Sequence, residues 1–213
     1  MALRGQDADH GRVELLGDLR AADVRAAVLV EGTSDVLAVR AVAERRGLDL
    51  EGLRVALVPM GGATNVRRHV ELFGPGGLGV RIAGLYDAAQ EPVIRRAVAG
   101  LGALTGPGLR GLEALGFFGC APDLEHELIR ALGVAGVIRV IAAEGELASL
   151  QLLQQQPAQR NRTTTDQLHR FLGVRSGRKA RYAWLLARAL QPDQVPRPLA
   201  RLVDHVLTIL DGR

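Results

Sequence analysis

A chain of 213 residues with 47% hydrophobic content can fill the core of one large domain, which excludes disorder as its default state. Aromatic residues are only 3%, which argues against base-stacking platforms as the main grip on nucleic acid, and a formal net charge of +4 permits a polyanionic partner without demanding one. The one cysteine, Cys120, cannot form an internal disulfide, no Cys/His cluster has zinc-ligand spacing, and neither a signal-peptide core nor an apolar run of spanning length is present, so the expected place is a reducing cytoplasm and not a membrane.

Residues 1–22 read as an N-terminal lead, polar as far as Asp18. The apolar run Ala26 to Val30 then reads as a buried strand that ends at Glu31. Gly32, Thr33, Ser34 and Asp35 form a tight turn into an apolar-periodic helix, Val36 to Arg46, stopped by Gly47. Gly32 is expected to adopt a conformation, or allow a close approach, that a side chain would block. Arg54 to Met60 is a second strand, followed by the turn Gly61-Gly62-Ala63-Thr64-Asn65 and a helix from Val66 to Phe73. Val80 to Tyr86 is a third strand, delivering Asp87 to its C-terminal end, with a helix from about Pro92 to Leu101 after it. Three strand–turn–helix units in succession imply a parallel sheet with helices on its faces, and the C-terminal edge of such a sheet is where ligands bind. Glu31, Gly61-Gly62 and Asp87 all fall at that edge.

The remainder is richer in helix. Gly102 to Gly111 reads as a loop and Gly116 to Cys120 as a short fourth strand. Helices are expected over Glu127 to Leu132, Ala135 to Glu144, Gln167 to Phe171, Ser176 to Leu190 and Leu199 to Leu210. Gln151 to Gln159 is a glutamine-rich stretch, and no internal repeat is present. The fold class is therefore α/β, a Rossmann-like parallel sheet flanked by helices with an α-helical C-terminal extension. The expected division is a lead over 1–22, an α/β domain over 23–134 and the extension over 135–213.

Glu31 and Asp35, then Asp87 and Glu91, are acids four residues apart at turns that open into helices. Glu125 follows the cap-like Asp123. Crowded carboxylates at a strand edge are costly unless they share a cation, and hard cations such as Mg²⁺ or Mn²⁺ prefer their oxygens. The plainer reading is a set of solvated strand-end and helix-cap acids, and the local pattern alone leaves both open. Glu127 faces away by helical spacing. Lys179 is the only lysine among 27 basic residues, and one compact ammonium in an arginine-rich chain suits a site that neutralises phosphate; a stray surface lysine is the alternative. From Arg160 to Arg188 there are eight basic residues and one acid, Asp166, which fits either a phosphate-bearing partner or a solvated face. Arg175 and Arg178 read equally as phosphate clamps or surface charge. The five histidines, among them His69, His126, His169 and His205, show no paired ligand spacing and read as surface residues. No Lys-Ser/Thr follows Gly61-Gly62, so the turn is not an ATP-binding P-loop.

With these residues set out, the pattern resembles a TOPRIM domain. Val30-Glu31-Gly32-Thr33-Ser34-Asp35 is similar to the family's strand-Glu-Gly motif, Pro59-Met60-Gly61-Gly62 with Asn65 to its glycine turn, and Leu85-Tyr86-Asp87 to the start of its Asp-x-Asp motif. Within that family the chain resembles the OLD (overcoming lysogenization defect) nucleases, stand-alone actinobacterial type, through Asp35, Leu124-Glu125 and Lys179 within Ser176-Gly177-Arg178-Lys179. The resemblance covers about Val24 to Val206. It implies a divalent-metal-dependent phosphodiester hydrolase, a nickase-like endonuclease acting on nucleic acid, with DNA favoured over RNA. The metal, Mg²⁺ or Mn²⁺, would be bound by Glu31, Asp35, Asp87, Glu91 and Glu125. Catalytic roles fall to Glu31, Glu125 and Lys179. Two departures stand against it. Ala89 occupies the second acidic position of Asp-x-Asp, and the ATPase half of a full-length OLD nuclease is missing, so activity needs either no ATP or a separate ATPase partner. A homodimer is compatible with it. The alternatives are a TOPRIM-fold module that binds nucleic acid or a partner without cutting, and a nucleotidyl transferase.

Overall fold

The computed structural model describes residues 23–101, 109–173 and 176–212. The lead at 1–22 and most of the Gly102–Gly111 loop lie outside the described residues.

Strand β1, Ala26–Val30, is buried along its whole length, as a central parallel strand covered on both faces must be. It is flanked by β2, Val55–Pro59, and β3, Arg81–Asp87, with β4, Phe117–Cys120, outside β3. The sheet order is β2-β1-β3-β4 and every pairing is parallel. The chain leaves β1 for β2 on one side and returns to β3 on the other. The order therefore reverses beside the C-terminal ends of β1 and β3, the switch point at which open α/β sheets form a crevice.

The two-residue alternation of side chains divides the core between the two sheet faces. Ala26, Val28 and Val30 face a cluster that includes Ala38, Val42, Leu128, Leu186 and Leu202. Ala27 and Leu29 face another, built from Val66, Val70, Phe73, Ile94, Val98 and Leu112. The first face carries helices α1 (Thr33–Arg45), α5 (Leu124–Ala143), α8 (Ser176–Ala189) and α9 (Arg197–Leu210); the second carries α2 (Val66–Phe73), α3 (Glu91–Val98) and α4 (Leu109–Ala114). Helices α6 (Leu147–Gln155) and α7 (Thr164–Gly173) complete the first layer, so residues beyond 135 share one core with the first strand.

Several boundaries differ from the sequence reading for identifiable reasons. Helix α1 starts at Thr33, three residues before its apolar period, because small polar residues supply the first turn. The two helices expected on either side of residue 133 are present within the α5 span and meet at a non-helical break at Gly133, whose φ of 69° and ψ of 160° are open essentially only to glycine. The glutamine-rich stretch is helical through Gln155, with Leu150 and Leu153 buried. Among the described residues no helix is long and apolar enough to cross a membrane.

Candidate metal centre

The site begins with how β1 ends. Glu31 follows the last strand residue, and Gly32 in extended backbone (φ −155°) caps α1. The Gly32 N–H donates to Asp35 Oδ2 at 2.9 Å, which holds that carboxylate back over the strand end. Gly32 does not play the expected part: its backbone is one any residue adopts, and a Cβ there would meet nothing within 4 Å. The open space beside it belongs to the cleft it lines. At this site glycine is required instead at Gly61 and Gly62, at φ 69° and 116°. They turn the chain after β2 so that the Gly62 N–H reaches the Glu31 carbonyl at 3.1 Å, and Asn65 Nδ2 braces the turn on the Met60 carbonyl at 2.9 Å.

Glu31, Asp35, Asp87, the Gly61-Gly62 turn and Lys179 line one cleft of about 450 Å³ at the switch point. Glu31 and Asp87 come from adjacent strands, so they meet at one rim and not at opposite ones. Asp35 is 9% exposed; burial pushes its carboxyl up to about 6, against the Gly32 hydrogen bond and with help from the Glu125 charge. Asp87 is pushed up to about 7, first by burial and then by Asp35 and Glu31. Glu31 Oε2 and Glu125 Oε1 are buried without a hydrogen-bond partner. A buried carboxylate oxygen without a donor is strongly unfavourable, and a carboxylate cluster whose members push each other's protonation upward is short of positive charge. All-oxygen donors in an open cleft suit a hard divalent ion such as Mg²⁺ or Mn²⁺.

Helix α8 brings the one nearby ammonium. It lies alongside α1 in parallel: Arg45 donates to the Arg188 carbonyl at 2.9 Å at one end, while Lys179 reaches the Asp35 end at the other. Lys179 Nζ lies 3.3 Å from Glu125 Oε2. Burial alone pulls its pKa down, but Glu125, Asp35 and Asp87 outweigh that and the net shift is upward. Glu125 is 5% exposed and sits in the first turn of α5. Its neighbourhood is tied to Asp87 by the Ala88 N–H, which donates to the Pro122 carbonyl at 3.0 Å.

Other candidates are placed differently. Glu91 does not line the cleft; it accepts from Arg95 at 2.9 Å along α3. Ala89 lies exposed in the turn after β3, so no acid enters there. Glu127 is 8% exposed and fastens the segment after β4, accepting from the Ala121 N–H at 3.0 Å and from Arg130 at 2.9 Å. Arg178 stacks on Phe171 at 4.2 Å and pairs with Glu146 at 2.5 Å, and Arg181 pairs with Glu144 and Glu146. These two members of the basic stripe are thus neutralised within the chain, whereas Lys179 is directed at the acids. Cys120 is buried beside Asp87, and burial raises its thiol well above the usual range, which disfavours the thiolate.

Sequence spacing missed one grouping. His126 and His169 both reach Asp123: Oδ1 lies 2.8 Å from His126 Nδ1 and Oδ2 lies 2.9 Å from His169 Nε2. The two histidines are 43 positions apart with the whole of α6 between them, and no local period joins them.

Residues 24–88 match the family model described as the overcoming lysogenization defect protein-like TOPRIM domain. Over that segment the chain is similar to an OLD-like TOPRIM domain. The matched segment runs from β1 through Asp87 and so contains Glu31, Asp35 and Asp87. The likeness to solved OLD structures extends well past this TOPRIM segment. The C-terminal region of the Burkholderia pseudomallei OLD protein superposes with a TM-score of 0.67 at 22% identity, over 88% of this chain and 98% of that one. The C-terminal region of the Xanthomonas campestris pv. campestris OLD protein gives 0.64 at 26% identity, over 88% and 97%. The TOPRIM sheet and the helices after it are therefore one fold shared with those regions. No curated protein matches the chain by sequence.

Proposed function

We propose that the chain is a Mg²⁺- or Mn²⁺-dependent phosphodiester hydrolase that nicks DNA. The observation that carries this is the convergence of Glu31, Asp35 and Asp87 in one cleft, with Lys179 held over it by Glu125. Glu31, Asp35 and Asp87 would hold the metal, and the partnerless oxygens of Glu31 and Glu125 are the natural donors to be satisfied by it. When bound, the ion supplies charge stabilisation at a phosphoryl oxygen and an acidified water. Glu31 or Glu125 would take up the proton of the attacking water. Lys179, kept cationic by its acidic neighbours, releases Glu125 and neutralises the charge that develops on the phosphorus oxygens. Glu91, ion-paired to Arg95, is left outside the ligand set. The helical extension over 135–213 belongs to the working unit under this reading, since α8 supplies the lysine. An OLD-type ATPase on another chain, and a second copy of this one, are the partners this reading allows.

Supercoiled plasmid incubated with each metal tests it. Wild type is expected to nick with Mn²⁺ and Mg²⁺ and to be silent with EDTA. Lys179→Gln should lose about 10²–10³-fold in rate. Because the variant frees Glu125 for the ion, its Mn²⁺ affinity should hold or rise. Equal rates for variant and wild type would remove the lysine from the chemistry.

A second reading has one observation in its favour, the exposed Ala89 where the family motif has an acid. It makes the chain a TOPRIM-fold module that docks nucleic acid or a partner without cutting. Calorimetry separates the two readings, since no heat of binding with millimolar Mn²⁺ favours the module.

A further inference from the structure

Two imidazoles and a carboxylate meet beside the cleft without being part of it. Asp123 caps α5, its Oδ1 accepting from the His126 N–H at 2.9 Å. The same carboxylate faces His126 Nδ1 at 2.8 Å and, through its other oxygen, His169 Nε2 at 2.9 Å. The ring centroids lie 4.0 Å apart with the planes tilted by 33°, and one donor atom from each of the three residues falls within 4.8 Å of the others. We propose that Asp123, His126 and His169 form a second divalent-metal site, chemically distinct from the carboxylate cleft, that takes a borderline ion of the zinc type.

Donor chemistry and spacing both support this. Two neutral imidazoles with one carboxylate suit Zn²⁺, whereas Mg²⁺ demands oxygens, as the cleft provides. Bonds of about 2.0–2.1 Å to a tetrahedral ion put donor atoms about 3.3 Å apart. The observed oxygen–nitrogen distances of 2.8 and 2.9 Å, each to a different Asp123 oxygen, need to open slightly, while the donor set, which spans up to 4.8 Å, needs to draw in. The side chains are 23%, 36% and 21% exposed for His126, His169 and Asp123, so an ion can enter and water can complete its shell. An ion here would bind α7, which carries His169, to the start of α5, which carries Glu125. It would also neutralise the Asp123 charge that acts on Asp87. The site would thus stiffen and tune the wall of the cleft without joining it. None of this depends on the nuclease reading.

The test uses the full chain stripped with EDTA, then titrated with ZnCl₂ in excess Mg²⁺, which keeps the cleft occupied. Wild type and Glu31→Gln are expected to bind one Zn²⁺ equivalent alike. His169→Ala should weaken that binding about tenfold or more, the loss that even indirect support of a metal ligand causes. Asp123→Asn, which keeps a capping oxygen for α5, should weaken it similarly. With Zn²⁺ at about a hundred times the wild-type Kd, wild type should gain about 5–10 °C in Tm, and His169→Ala about half of that or less. Circular dichroism without metal checks that the variants fold. Zn²⁺ affinity equal in wild type, His169→Ala and Asp123→Asn would overturn the proposal, as would loss of Zn²⁺ binding in Glu31→Gln alone. A failure here leaves the plasmid assay unaffected, so the two proposals fail separately.

Discussion

Glu31→Gln is expected to lower Mn²⁺ affinity at least about 100-fold and to abolish plasmid nicking, while leaving the fold intact. Glutamine matches glutamate in size, so packing at the end of β1 is preserved. What is lost is one anionic donor of which the Oε2 oxygen is buried and partnerless. Removal of groups that merely orient metal ligands costs about 10–100-fold in affinity, and loss of a ligand should cost no less. The metal-free variant should be at least as stable as wild type, because a carboxylate with one oxygen buried and without a donor has been removed. Calorimetry with Mn²⁺ and thermal unfolding in EDTA measure the two halves. Unchanged Mn²⁺ affinity would take Glu31 out of the ligand set, and with it the family motif's expected role in this chain.

Asp87→Asn should stabilise the metal-free protein at alkaline pH and not at acid pH. The folded carboxyl titrates near 7, against about 4 when unfolded. Between these values the folded state holds a proton that the unfolded state has released. Stability therefore falls as pH rises from about 4 to about 7, and Asp35, raised to about 6, adds to the fall over the lower part of that window. Asparagine carries no charge to repel Asp35 and Glu31. After allowance for solvent screening of a half-buried group, the gain at pH 8 should be about 1–2 kcal/mol, or about 3–8 °C in Tm. At pH 4 the two proteins should unfold alike. Millimolar Mn²⁺ should restore wild type at pH 8 and do little for the variant. A metal-free wild type whose Tm rises between pH 4 and 7 relative to Asp87→Asn would show that the acids do not repel one another.

The sheet was legible in the sequence because its strands are continuous apolar runs that end in charge. Ala26–Val30 before Glu31, and Ile82–Tyr86 before Asp87, state both the strand and its functional end. Helix Val66–Phe73 was legible to the residue because a glycine turn and a Gly-Pro loop bound it. Gly32 misled, since a glycine beside a motif does not reveal whether backbone conformation or empty space requires it. Arg178 could not be separated from a phosphate clamp, because its partner Glu146 lies 32 residues away. Lys179 stood out by composition, but only the parallel packing of α8 on α1 brings it to Glu125, 54 positions earlier in sequence. Of the His126–Asp123–His169 cluster, spacing shows only the Asp123/His126 pair, three residues apart at the start of α5; His169 arrives from α7 through tertiary packing, which no short period encodes.

The central claim is that acids from β1, α1 and β3 share one divalent ion. A crystal soaked in Mn²⁺ and measured for anomalous scattering tests it most directly. The account predicts a peak in the cleft about 2 Å from carboxylate oxygens of both Glu31 and Asp87. A cleft without a peak, or Mn²⁺ bound only among Asp123, His126 and His169, would contradict it.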